Sequence, residues 1–348
     1  MRLFGKKQPK KKEPELDVFD KYVTPLLDAE QENHTENLNI ESSGVQSTSF
    51  NENAPSPIQG SDQSLSVDDV PVQTTERISA PQPGFENTDG ANLQGTTVLL
   101  GMSSVIGRRE YQQDALAVSD TNIGNSLKSS RLMAVLCDGM GGMNGGERAS
   151  GLCIEKMLEA FRVNTLPYPE FYRTSIIEID RQVADLKDEH GNFLGGGSTL
   201  ISVVFDGNKL YWGSVGDSHI YIMRNNEMVL VNTEHNYMLD LMEQVKRGEI
   251  TLEQAQTDKN REALISYMGM GAVTLMDIIE NPFELQEGDY VILCSDGLYR
   301  SVSDSEIFNI IKANSNNMQT AANTLTACAL SKNNPYQDNT SVIVIRYQ

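Results

Sequence analysis

Apolar residues from residue 96 onward fall into short β-rich runs bounded by turn residues. These runs are TTVLLGMSSV, LMAVLCDG, STLISVVF, KLYWGSVG, HIYIMR, EMVLVN, YVILCSDG and SVIVIRY. Asp206-Gly207 and Asn225-Asn226 lie between such runs and read as hairpin turns. Two segments switch to the helical period. Ala149, Leu152, Cys153, Met157 and Phe161 make one apolar face, and Tyr172, Ile176, Ile179, Val183 and Leu186 make another. Ser303 with Glu306 reads as a capping box opening a helix that carries Ile307, Ile310 and Ile311. Hairpin strands with paired helices predict an α+β layered architecture, sheets covered by helices.

Residues 1–96 follow no such pattern. Between Asn33 and Gly90 the chain is rich in Ser, Asn, Gln and Pro, with Phe50 and Phe85 as its aromatics. A stretch of that composition buries too little apolar surface to offset the entropy of ordering it, so a disordered tail or linker is expected. Within it, Val18, Phe19, Tyr22, Val23, Leu26 and Leu27 recur at helical spacing around Pro25. This suggests either a short docking helix near 16–28 or a partly helical flexible arm. The globular unit is expected over 97–348.

Composition narrows the function. With 28 Lys and Arg against 48 Asp and Glu the formal charge is −20. That argues against binding nucleic acid or an anionic membrane, because Lys and Arg are what neutralise phosphates. No apolar run reaches the roughly 18 residues that a membrane span needs. The four Cys at 137, 153, 294 and 328 form no C-x-x-C pair, so no zinc knuckle or disulfide framework is expected. A reduced, cytoplasmic setting is the expectation.

The chemistry is carried by acids at strand ends. Asp138 follows LMAVLC, Asp296 follows YVILCS, Asp217 sits in VGDS, Asp338 opens DNTS before the last strand, and Asp114 closes RREYQQD. Any one of them could be a turn-capping Asp. As a set they imply a compensating positive charge, since an unpaired carboxylate at the end of a core strand costs several kcal/mol of desolvation. No comparable set of Lys or Arg stands in those segments. A hard divalent cation, Mg²⁺ or Mn²⁺, therefore fits better than Zn²⁺.

These segments resemble the metal-dependent Ser/Thr protein phosphatases, the PPM or type 2C family. GRREYQQD, CDGMGG, GGGSTL, GSVGDSH, FELQEGDYVILCSDGLYR and DNTSVIVI occur in the family's order. EQVKRGEITLEQAQTDKNREALISYMG resembles its flap. The resemblance implies an αββα sandwich of two mainly antiparallel sheets. It implies hydrolysis of phosphoserine and phosphothreonine by metal-bound hydroxide at a dinuclear Mn²⁺ or Mg²⁺ site, without a phosphoenzyme. Asp138 would bridge the two metals and the Gly139 carbonyl would bind one of them. Asp296 and Asp338 would bind the other, and Asp114 would act mainly through metal-bound water. Asp217 would serve a weaker third-metal site. Arg109 matches the phosphate-binding arginine, with Arg108 on the other face of an extended strand. Phosphorylated proteins and an opposing Ser/Thr kinase are the implied partners, and the expected state is a monomer.

Three positions depart from the family. Gln112 replaces an Asn and keeps the amide, His219 replaces an Arg, and Met140 stands where many eukaryotic members carry His. Two rivals remain: a pseudophosphatase-like module that binds phosphoprotein without turnover, and a cysteine-dependent phosphatase using Cys294 and Arg300 in C-x-x-x-x-x-R. The second suffers from Asp296 inside its anion cradle, which would raise the thiol pKa.

Overall fold

The computed structural model describes residues 91–93, 96–119, 131–142 and 145–348. The docking segment near 16–28 and nearly all of the expected tail lie outside the described residues. Ala91–Leu93 (β1) is the exception, pairing antiparallel with Thr96–Val105 (β2) so that Ala91 faces Val98. The paired chain thus starts a few residues ahead of the expected boundary.

Two antiparallel sheets face each other. The first runs β1-β2-β13-β12-β8-β9, where β8 is His219–Arg224, β9 Glu227–Leu230, β12 Tyr290–Cys294 and β13 Thr340–Tyr347. The second runs β10-β7-β6-β4-β3, from Asp277–Ile278 (β10) through Lys209–Val215 (β7), Leu200–Asp206 (β6) and Arg131–Met140 (β4) to Asp114–Val118 (β3). Gly197–Ser198 (β5) adds to β4, and Phe283–Glu284 (β11) adds to β7.

Alternation explains why the strands are apolar on both faces. Leu132, Ala134 and Leu136 of β4 point into the core between the sheets, with Ile220, Val291, Leu293, Ile343 and Ile345. Met133, Val135 and Cys137 point the other way, onto the helices Gly145–Val163 (α1) and Tyr168–Ala184 (α2) through Cys153, Met157, Tyr172 and Ile176. On the other side, Ile292, Val342 and Val344 meet Asp304–Ala313 (α6) and Met318–Ser331 (α7). A strand buried on both faces reads as a continuous hydrophobic run, which is what the sequence shows. The layer order is αββα, as expected.

Local chemistry accounts for the turns and caps. Asn225 and Asn226 both take positive φ between β8 and β9, the two-residue turn that suits the strand twist. The β6–β7 turn falls one residue later than expected. Asp206 still pairs with Lys209, so Gly207 (φ 60) and Asn208 make the turn. The Ser303–Glu306 capping box forms at α6. Helix α7 was not signalled by a strong apolar stripe, because its buried face is mostly small: Ala321, Ala322, Thr326 and Ala329 beside Met318 and Leu325. Asn317 caps it by accepting from the Thr320 N–H. The flap-like segment begins in the last turn of Tyr237–Lys246 (α3) and contains Leu252–Thr257 (α4).

Candidate active site

Strand pairing brings the acids together. Asp114 opens β3 directly across from Asp138 on β4. In the other sheet, β12 and β13 are neighbours, with Cys294 opposite Val342. Asp296, which opens the short helix Asp296–Tyr299 (α5), and Asp338, just before β13, therefore share one end of that sheet. Ser295 joins the two sheets by donating from Oγ to Asp114 Oδ2 at 2.8 Å. The Asp138 and Asp296 carboxyls come within hydrogen-bonding reach of each other.

The backbone around Asp138 is pinned. Its N–H donates to Thr199 Oγ1 at 2.9 Å, and its carbonyl accepts from Thr199 N at 2.8 Å and Ser198 Oγ at 3.0 Å. Gly139 is a glycine because of close approach. A Cβ there would lie 2.3 Å from the Gly146 carbonyl oxygen and 2.5 Å from that of Gln113.

Electrostatically the cluster is under tension. Burial, with the nearby Asp296 and Asp338 charges, pushes the Asp114 carboxyl up to about 7 despite its bond from Ser295. Burial and then Asp296 raise Asp217 to about 6. Burial and the repulsion of Asp114, Asp296, Asp338 and Asp217 push Asp138 well above the carboxylate range. Asp296 is raised by burial, against the pull of Arg300. Asp114 Oδ1 and Asp296 Oδ1 are buried with no hydrogen-bond partner. Orphaned buried oxygens among repelling carboxyls are what a bound cation would satisfy. Among the described residues no group of three or more His, Cys, Asp and Glu is drawn together tightly enough to hold an ion unaided. Mg²⁺ and Mn²⁺ need no such cage, since Mg²⁺ keeps several waters and binds through one or two carboxylates. An all-oxygen, open donor set fits them.

No comparable set of Lys or Arg was expected beside these acids, yet two arginines pair with them, Arg109 and Arg300. Arg109 is bonded through Nη2 to Asp338 Oδ2 at 2.5 Å. Arg300 reaches Asp296 through Nε at 3.0 Å, Asp217 through Nη2 at 3.5 Å and Glu262 through Nη1 at 2.8 Å. Sequence reasoning placed Arg300 only beside Cys294. Its pairing with Asp296 was overlooked because the one-turn spacing is helical, and only the short helix α5 makes that spacing matter. Arg108 and Arg109 are also not on a strand. They follow Gly107 (φ 65) in a loop, so alternation does not separate them. What separates them is that the Arg108 N–H is bonded to the Gln337 carbonyl while the Arg109 guanidinium reaches Asp338.

Several supporting residues escaped sequence reasoning. Asn339, 4% exposed, accepts from Gln113 N and donates to the Ile106 and Tyr111 carbonyls, so it shapes the loop that carries Arg109. Gln337 does similar service under α5 by donating to the Gly297 carbonyl. Both flank Asp338, and adjacency to the acid was the only available signal. His219 is built into a network: its ring stacks on Tyr299 at 3.6 Å, with Nε2 on Glu234 and Nδ1 on the Tyr221 hydroxyl. The Met140 terminal methyl lies over Gly197. A cavity of about 470 Å³ lined by Arg131, Tyr168, Asp206, Tyr211 and Glu280 shares no residue with the acid cluster.

Two sheets that present paired carboxylates at one edge of an αββα sandwich define a metal-assisted hydrolase class. The family model for Protein phosphatase 2C matches residues 103–333. The chain belongs to that family, the metal-dependent serine/threonine class of protein phosphatases. It is 26% identical over 225 residues to "Serine/threonine phosphatase stp" of Listeria welshimeri, covering 63% of this chain and 85% of the relative. Its fold matches the serine/threonine phosphatase of S. agalactiae with a TM-score of 0.61 at 24% identity, over 72% of this chain and 99% of that one. It also matches the catalytic domain of the phosphatase PstP in complex with two manganese ions, with a TM-score of 0.55 at 24% identity, over 72% and 98%. Among the described residues no helix is long and apolar enough to cross a membrane.

Proposed function

We propose that this chain removes phosphate from phosphoserine and phosphothreonine in proteins at a centre of two Mn²⁺ or Mg²⁺ ions. Asp138 and the Gly139 carbonyl would hold them with Asp296 and Asp338, and Asp114 would act through an intervening water. The observation that carries this reading is the pair of buried, partnerless oxygens on Asp114 and Asp296 in a cluster of mutually repelling acids. The PstP structure with two manganese ions supports the ion count. When bound, the ions would offset charge on the phosphoryl group and make a water acidic enough to attack.

The chain's own residues do the rest. Arg109 has more than half its side chain exposed and can turn from Asp338 to grip a phosphate dianion with two parallel N–H bonds. Thr199 and Ser198 fix the Asp138 backbone, and Ser295 fixes Asp114, so the acids need little reorganisation. Met140 has no proton to give the departing alkoxide, which must draw one from water. The cysteine-dependent rival fares poorly. Cys294 is fully buried in β12, burial pushes its thiol far up, and Arg300 is committed to carboxylates.

Phosphorylated proteins and the kinase that makes them are the partners this chemistry requires. The thiols of Cys137, Cys153 and Cys294 are buried and form no disulfide, which suits a reducing compartment such as the cytoplasm. The catalytic unit is taken as 97–348 with β1 added.

Hydrolysis of a phosphoserine peptide tests the proposal. EDTA-treated protein should be silent and Mn²⁺ should restore turnover, while Cys294→Ser keeps most of it. Metal-independent turnover, or a folded but dead Cys294→Ser, overturns it.

A pH effect follows from the same acids. A carboxyl whose pKa is raised on folding binds its proton more tightly in the folded chain. Stability then falls as pH rises from the unfolded value to the folded one, about 7 for Asp114 and about 6 for Asp217. His235 opposes this at acid pH, because burial lowers it from 6.5 to about 4. Between about pH 6.5 and 8 the acids dominate. In EDTA the Tm should therefore be higher at the lower pH, while the Tm gain on adding Mn²⁺ should be larger at the higher pH, where the carboxylates are free of protons. A Mn²⁺ gain that is larger at the lower pH would contradict the ligand assignment.

A further inference from the structure

Asp217 is held ready for a cation, and a cation is already there. It follows β7 at Gly216 (φ 101) and is nearly buried, and its carbonyl accepts from the Tyr299 hydroxyl at 3.1 Å. Tyr299 is itself clamped by the stacked His219 ring. The Asp217 carboxylate faces the Arg300 guanidinium, which also holds Asp296. The third edge of that guanidinium is held by Glu262, from the segment between α4 and β10 that resembles the flap. Arg261 in turn donates to the other Glu262 oxygen.

We infer that the Arg300 guanidinium is a built-in cation standing between Asp217 and Asp296 in place of a third metal ion, so that this enzyme binds only two exchangeable ions. The inference rests on the two-metal reading above. It follows from space and charge. A divalent ion bridging Asp217 and Asp296 must sit where Nε and Nη2 now donate, and it would meet a permanent positive charge, because a guanidinium does not lose its proton. Moving the arginine out also breaks its ion pair with Glu262, so occupation by metal is opposed by the flap-like segment as well. A guanidinium fixed by three carboxylates does the charge-balancing work of an ion without depending on metal concentration. It also ties that segment to the metal-binding acids, since Asp296 is shared between them.

Counting Mn²⁺ on the full chain tests this, by equilibrium dialysis with the free ion read by electron paramagnetic resonance. Wild type should bind two ions. Arg300→Ala should bind a third, at least about thirtyfold more tightly than any third uptake by wild type, the factor set by removing a unit charge about 4 Å from a divalent ion even at water's dielectric constant. Adding Asp217→Asn to Arg300→Ala should abolish that third site. Arg300→Gln, neutral and close in shape, should behave as Arg300→Ala and serves if the alanine variant folds poorly. A wild type that takes three ions, or folded Arg300→Ala and Arg300→Gln that both stay at two, overturns the inference alone. A wild type that binds none overturns the two-metal reading and this inference with it.

Discussion

Asp138→Asn should lose about a thousandfold in turnover on a phosphoserine peptide, while its EDTA-treated form melts no lower than wild type. The activity loss follows from the several kcal/mol of charge stabilisation that metal ions supply, at about 1.4 kcal/mol per tenfold in rate. Asp138 is the acid that the other cluster carboxylates all repel. The stability half has the opposite sign. Replacing a carboxyl held among Asp114, Asp296 and Asp338 with a neutral amide of the same shape removes repulsion and desolvation cost from the metal-free fold. Activity and stability thus move apart, as expected where function is maintained against the fold's own preference. Measuring kcat with saturating Mn²⁺ and Tm in EDTA on one preparation checks both. A variant that keeps a tenth of the activity, or that melts well below wild type in EDTA, would show Asp138 to be an ordinary structural acid.

Asp180→Ala should have the largest effect on stability, about 3 to 5 kcal/mol, since hydrogen bonds to a charged group contribute roughly 1.5 to 3 kcal/mol each. Asp180 lies on α2, 1% exposed. Its Oδ1 accepts from the Gly269 and Gly271 N–H groups at 2.7 and 3.2 Å, and its Oδ2 accepts from Val273 N at 2.9 Å. Truncation strands all of these donors in the interior. The same loop begins at Met268, whose backbone pairs with Ser198, and Ser198 Oγ holds the Asp138 carbonyl. Asp180→Ala should therefore also raise the metal concentration needed for half-maximal activity. Urea unfolding measures the first effect and Mn²⁺ titration the second. A loss below about 1 kcal/mol, the size typical of a neutral hydrogen bond, would mean the loop finds other acceptors.

Asp180 marks where sequence reasoning stops. Period-2 and period-3.6 patterns located the strands and both helices of the α1–α2 pair, because burial imposes those periods directly on the residue order. Asp138, Asp296 and Asp338 were legible for a related reason: a carboxylate closing an apolar strand contradicts its surroundings unless something compensates. Asp180 gave a weaker contrast. It borders the apolar face, four residues after Ile176 and three before Val183, but Glu178, Arg181 and Gln182 surround it in sequence and the partners of its oxygens lie far along the chain. The carboxylate partners of Arg300 were missed for the same cause, since Asp217 and Glu262 come from two other segments. The loop around Arg109 failed differently. One left-handed glycine, Gly107, turned an expected strand into a bend, and Asn339 supplies the bonds that hold it. Helix α7 hid behind alanines and threonines, which pack closely against β2 and β13 without forming a strong apolar stripe.

The pairing of β2 with β13 also sets when the proposed site can be complete. Val105 lies opposite Thr340 and Val98 opposite Tyr347, so β2 waits for a partner more than two hundred residues further along the chain. Asp338 and Asn339 arrive with that last strand, and Asn339 is what shapes the loop carrying Arg109. At ribosomal speeds of roughly 5 to 20 residues per second, the intervening chain takes on the order of tens of seconds to emerge. Throughout that time β2 has an open edge and the acid cluster lacks one of its members. On the proposed site, a chain that stops before Asp338 should therefore hydrolyse no phosphoserine peptide, and synthesis alone would hold the activity back until that acid is in place.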